Sequence, residues 1–249
     1  MSQFTSTYTF ILPSGVEAEV KELTGKHHRI LTTKGGSSLH AKLNTILADV
    51  LVRVGSNTSI DAKFVLNMLM NDRKMALVMA RQFSMDFDET FKFRYAYTSK
   101  VDNKAKEILL SATIPNGIFP MTPMPNQYKE YSEIQRTYTV TLPKSKVDVS
   151  FKLFDGNGDM QVASLGNKIH MNSPIELRNP TYKHGDVTLK LNLDEVSMKD
   201  ISFLREYMTS LEGAVDTNIQ ITHPEDDSAV VTIDVMHTES FFYPMEEIG

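Results

Sequence analysis

The chain has 249 residues, 41% of them apolar and 23% charged, with a net charge of −5. That length can bury a real core in one large domain or two ordinary ones, and the composition is that of a globular protein. No apolar run approaches the roughly 18 residues that span a bilayer. Charge is spread without the basic blocks that follow a phosphate backbone, and zero cysteines exclude disulfides, thiol chemistry and cysteine-ligated zinc. Met1-Ser2-Gln3-Phe4-Thr5 places no basic region before an apolar one, so no signal peptide is expected, and a soluble protein that stays where it is made is. Fourteen methionines and no tryptophan suit either core filling or a surface that repacks around a partner.

In chain order, the first element is a β-hairpin, Tyr8–Pro13 returning through Val16–Val20. Tyr8, Phe10 and Leu12 share a face with Val16, Ala18 and Val20, while Glu17, Glu19 and Lys21 point away. The same words return at Tyr138–Pro143 and Val147–Phe151, with Tyr-Thr opening and Leu-Pro closing the first strand of each copy. After the first copy, Lys26–Thr33 reads as a short helix, and Lys34-Gly35-Gly36-Ser37 as a flexible loop without Walker spacing. Leu39, Leu43, Ile46, Leu47, Val50, Leu51 and Val54 predict a helix, capped by Ser37 or Ser38 and stopped by Gly55. Thr58-x-x-Asp61 reads as a cap for a helix through Phe64, Val65, Met68 and Leu69, and Asn71-Asp72 as the start of another, with Met75, Val78, Met79 and Phe83 inward. Phe91, Phe93, Tyr95 and Tyr97 then alternate, and Ile108, Leu110, Ala112 and Ile114 return, a second hairpin.

Prolines at 115, 120, 123 and 125 make residues 115–135 an extended linker, because proline at that density suits neither a helix interior nor a central strand. Its Ile118, Phe119, Met121 and Met124 should lie against one of the halves or against a partner protein. After the repeated hairpin come a short helix over Met160–Leu165 and a strand through Val187, Leu189, Leu191 and Leu193. A helix capped at Ser197 follows, with Ile201, Leu204, Met208 and Leu211 inward. The last hairpin spans Asn218–His223 and Ala229–His237. The expected fold is therefore α+β, an internal duplication of two related halves at 1–114 and 136–249. Each half has an opening hairpin, helices and a closing hairpin.

No chemistry stands out. Asp155, Asn157 and Asp159 have the spacing of calcium ligands, but Met160 stands where the loop needs glycine and Gly166 where it needs glutamate, so a turn with a helix cap is expected. His27-His28 are adjacent and do not face one another on a helix, and the remaining histidines lack metal spacing. Neither G-x-S-x-G nor H-E-x-x-H occurs, and no catalytic, cofactor or metal residue is assigned.

Phe10–Lys26 and Asp72–Ser84 resemble the baseplate hub assembly proteins of T-even-like contractile-tailed bacteriophages. The resemblance covers the first half, and the second only through its echoing hairpin. Some relatives carry cysteine pairs where this chain has Asp102-Asn103-Lys104, so no zinc carries over. It implies a non-enzymatic, chaperone-like assembly factor of the hub, binding other phage baseplate hub proteins and neither nucleic acid nor membrane. A permanent hub subunit is the alternative, and an enzyme or unrelated binding module the second. The host cytoplasm during virion morphogenesis, or the tail baseplate itself, is the implied location, in a homo- or hetero-oligomer. The candidate partner contacts are Phe119, Met121, Met124, Phe241, Phe242, Tyr243 and Met245.

Overall fold

The computed structural model describes residues 6–33, 38–114, 117–134, 136–165, 168, 173–237 and 241. The fold is mixed α/β, with seven α-helices and several small antiparallel sheets among the described residues. β1 (Thr7–Ile11) and β2 (Glu17–Lys21) form the opening hairpin, Tyr8 opposite Val20 and Phe10 opposite Ala18. Phe10, Leu12, Val16, Ala18 and Val20 are buried and Glu17 is exposed, as the alternation requires. α1 (Gly25–Thr32) follows, with His27 Nδ1 accepting the Thr24 amide at 2.8 Å and Nε2 meeting Asp49 at 2.7 Å. The Lys34-Gly35-Gly36-Ser37 loop lies outside the described residues.

α2 (Leu39–Val50) is capped by Ser38, whose hydroxyl accepts the Ala41 amide at 3.2 Å. The helix expected to reach Val54 stops at Val50, and Leu51–Val54 is instead a strand, β3, on the open side of β2. β-branched Val52 and Val54 favour the extended chain. Arg53, between them, reaches Glu17 at 2.6 Å and Glu19 at 3.4 Å across the ladder. α3 (Ala62–Asn67) is capped by Asp61 rather than Thr58, its carboxylate accepting the Phe64 amide at 2.7 Å. α4 (Met70–Ser84) buries Met75, Val78 and Met79. β4 (Thr90–Thr98) and β5 (Ala105–Thr113) close the half, Phe91 opposite Ala112 and Phe93 opposite Leu110.

The linker carries a two-residue strand, β6 (Met121–Thr122), and a 3-10 turn at Tyr131–Glu133. Beyond it, β7 (Tyr138–Thr141) and β8 (Asp148–Phe151) repeat the opening hairpin, and α5 (Gly156–Leu165) begins four residues before the expected Met160. Asp155 starts it, accepting the Gly158 amide at 3.0 Å. α6 (Ser173–Glu176) leads to β9 (Thr181–His184), a strand with too few apolar residues to be read from the sequence, and β10 (Val187–Lys190). The sheet order is β7-β8-β9-β10. β10 stops before Leu191 and Leu193, which turn inward and are buried. α7 (Met198–Leu211) starts at Ser197, and β11 (Ala214–Val215) pairs with β6. β12 (Asn218–His223) and β13 (Asp226–Asp234) make the last hairpin.

A single apolar core runs through both halves. Met70 donates its amide to Phe154 at 2.9 Å and Gly156 to Met68 at 3.0 Å, stitching α4 to the start of α5. The closing hairpins also meet, with Lys100 donating to Glu225 and Asp226 at 2.8 and 3.0 Å and Tyr97 lying edge-on to His223.

Candidate functional site

The two opening hairpins end in equivalent turns with different surroundings. In the first, Leu12 closes on Val16 and Gly15 takes the left-handed conformation, φ +88°. The Ser14 amide, which no strand partner can satisfy, donates at 3.0 Å to Asp72, the third residue of α4. In the second, Leu142 closes on Val147, Lys146 takes the left-handed conformation at φ +60°, and the turn is one residue longer. Here the amides of Lys144 and Ser145 donate at 2.8 and 3.1 Å to Asp200, the third residue of α7. In each case a carboxylate in the first turn of a helix, where the peptide dipoles favour negative charge, holds the hairpin tip.

The linker covers the first tip. Pro13 accepts the Met124 amide at 2.8 Å and the Gln127 side-chain amide at 3.3 Å, and Ser14 accepts the Tyr128 amide at 2.9 Å. Tyr131 donates its hydroxyl to the other Asp72 oxygen at 2.9 Å and accepts the Leu69 amide. Pro13, Ser14 and Asp72 are consequently buried. Burial pushes the Asp72 carboxyl up to about 6, against the opposing pull of the Ser14 hydroxyl and amide and the Tyr131 hydroxyl.

Nothing covers the second tip among the described residues. Lys144, Ser145 and Lys146 are exposed, and no described amide reaches the Pro143 or Lys144 carbonyl oxygen. The tip instead forms one wall of a cleft of about 420 Å³, lined by Leu142, Val147, Tyr182, Leu191 and Val196, with Lys144 at its rim. Asp200 has no exposed area but lies on the wall of this cleft. Burial raises its carboxyl less than the Lys144 and Ser145 amides, with the Ser145 and Ser197 hydroxyls, lower it. Its pKa is therefore below the ordinary carboxylate value.

The cleft continues onto an uncovered sheet face. Val149, Tyr182 and Leu189 lie opposite one another across β8, β9 and β10, so they project from the same face. Val149 is buried, whereas Leu189 is 40% exposed and its facemate Val187 58% exposed. Among the described residues β10 pairs with β9 alone, which leaves an open edge beside that face. Met198, 72% exposed, follows the Ser197 that lines the cleft.

The residues proposed from sequence as partner contacts lie elsewhere. Phe119, Met124 and Phe241 are enclosed by this chain's own core and offer a partner no surface, and Met121 is half-buried in β6. The Phe241 ring lies tilted against its neighbours, its centroid 6.0 Å from that of Phe91 and 6.1 Å from that of Phe119, and its carbonyl accepts from Arg81 Nε at 3.0 Å. Phe242, Tyr243 and Met245 lie outside the described residues. Val187 and Leu189 were passed over because their alternation reads as a strand with one buried face. The signal that marks them is position, since they belong to the last strand of their sheet.

The polar clusters serve the structure. Asp159 pairs with buried Arg73 at 3.1 Å and with His40 at 3.0 Å, and Asn157 donates to Leu66 and Asn67. Among the described residues, no three His, Asp or Glu side chains converge as metal ligands, and no helix is long and apolar enough to cross a membrane. No protein-family model matches the chain, and no curated protein or solved structure matches it either.

Proposed function

We propose that the chain is a non-enzymatic assembly factor that works by binding protein, and that its setting is the central hub of a contractile phage tail baseplate. The resemblance of Phe10–Lys26 and Asp72–Ser84 supplies the setting. The observation that carries protein binding is the apolar β9–β10 face, open at its edge and continuous with the cleft at the second tip. An open edge offers main-chain hydrogen bonds and the exposed valine and leucine offer apolar contact, the two ingredients of strand addition. Val187→Ser with Leu189→Ser should release captured hub proteins while leaving the helical circular dichroism unchanged; undiminished capture would overturn the reading. Mass spectrometry of assembly intermediates beside finished virions checks the transient role, since an assembly factor is found in the first and missing from the second.

The two halves are read as copies of one scaffold. Support comes from the paired hairpins, from Asp72 and Asp200 at the same helical position, and from a closing hairpin in each half. Replacing Pro143–Lys146 by the shorter Pro-Ser-Gly turn of the first half should then yield a folded protein that still ties its tip to Asp200. Loss of cooperative unfolding would argue against common descent.

A further inference from the structure

The free edge of β10 is complementary to itself. Leu191 donates its amide to Pro180 at 2.9 Å, back toward β9. Main-chain groups alternate in direction along an antiparallel strand, so Val187 and Leu189 also point theirs at β9, and Thr188 and Lys190 point theirs outward. Among the described residues nothing meets those outward groups, and the chain from Asp186 to Lys190 is exposed throughout. Asp186, in the turn that opens β10, and Lys190, at its end, enter no ion pair among the described residues.

The strand that fits this edge follows from the order of its residues: aspartate, valine, threonine, leucine, lysine. Turned about a two-fold axis through Thr188, the segment meets itself with opposite charges at both ends and valine against leucine between them. Asp186 of each copy then stands opposite Lys190 of the other, and Thr188 opposite Thr188. The residues brought opposite one another in this way, Asp186, Thr188 and Lys190, are those whose main-chain groups face outward and can be exchanged. An axis through Lys190 would set like charges against each other, and one through Leu189 would leave Lys190 opposite Thr188. Charge therefore selects the register. Val187 and Leu189 are covered in the same step, on the face where Tyr182 lines the cleft.

We propose that the β10 edge is the two-fold interface of a homodimer, in which two four-stranded sheets join into one. Such an interface is isologous and closes on itself, which shields the edge from open-ended strand addition. The proposal rests on the reading of this edge as a strand-addition surface and names a second copy as its resting occupant, which a hub protein has to displace.

Sedimentation of the full chain over a range of concentrations should show an equilibrium between monomer and dimer. Asp186→Lys and Lys190→Asp change exposed side chains, and each should weaken the dimer about tenfold, since one reversal sets two like-charged pairs in a symmetric interface. The two variants mixed should associate again, because each supplies the charge that the other lacks. Thr188→Pro, tolerated on an edge strand whose amide faces solvent, should abolish the dimer with the fold intact by circular dichroism. A chain that is monomeric at every concentration, a charge reversal without effect, or a mixture that associates no better than its components would each overturn the proposal. A monomer from which Val187→Ser with Leu189→Ser still releases hub proteins overturns the dimer alone. A dimer and hub capture that both survive this double variant overturn the two readings together.

Discussion

Replacing Asp72 by asparagine should remove one component of the protein's pH dependence. In the folded chain the Asp72 carboxyl is raised from 3.8 to about 6 because it is sealed under the linker with only the Ser14 amide and hydroxyl and the Tyr131 hydroxyl for company. The folded state therefore keeps a proton that the unfolded chain has already released between these values. Stability from this group is fully present below the unfolded value and is lost as the pH rises through about 6. At about 1.4 kcal/mol for each pH unit, the window amounts to about 3 kcal/mol. Asparagine carries no proton to lose. It still accepts the Ser14 amide, and any penalty from turning its NH2 toward Tyr131 is the same at every pH. Urea unfolding of both proteins, followed by circular dichroism between about pH 4 and pH 7, gives the difference directly. Carboxylates held below their ordinary value, Asp49, Asp200, Glu225 and Asp226, are common to both proteins and cancel. Wild type should lose about 3 kcal/mol relative to Asp72→Asn as the pH rises. A constant difference, or a wild type that gains, would refute the placement of Asp72 in a dry, proton-retaining site.

The left-handed position in each turn gives a matched pair of tests. Lys146→Gly removes a side chain from a backbone at φ +60° and should stabilise the protein by about 1 kcal/mol, read as a raised midpoint in thermal unfolding. Gly15→Ala should do the opposite by about 1–2 kcal/mol, because φ is +88° and the new Cβ would lie 2.5 Å from the Gln127 side-chain oxygen, so the linker must lift from the first tip.

What the sequence disclosed follows from the range of the interactions involved. The hairpin faces and the caps at Ser38 and Ser197 rest on neighbours close in the chain, and period and residue type were enough to place them. β3 was read as helix because Leu47, Val50, Leu51 and Val54 satisfy a helical period, and only the open side of β2 decides otherwise. β9 escaped because Tyr182 is the one large apolar residue in Thr181–His184, which is ordered by strands on both sides. Asp72 was read as punctuation between helices, yet its carboxylate acts on a turn 58 residues earlier, and Asp200 on one 56 residues earlier. Aligning the two copies of the hairpin and asking which acid recurs at that separation would have found both. The candidate contacts were chosen for apolar character in a proline-rich setting. That criterion selects Phe119 and Met124, which seal the first half, as readily as it selects a docking surface.

Phe241 sets the moment at which the molecule can finish folding. Its ring closes the end of the first half, between Phe91 and Phe119 and beneath the Arg81 guanidinium, yet it is made after the entire second half. A nascent chain that has emerged only as far as the linker must carry those two phenylalanines open to water, though domains of ordinary proteins fold as they leave the ribosome. The first half is in this sense completed by a residue that follows the whole second half. Its last seam closes only when the second half has been synthesised, so a product interrupted in between is left with an unsealed core that proteases and chaperones can recognise.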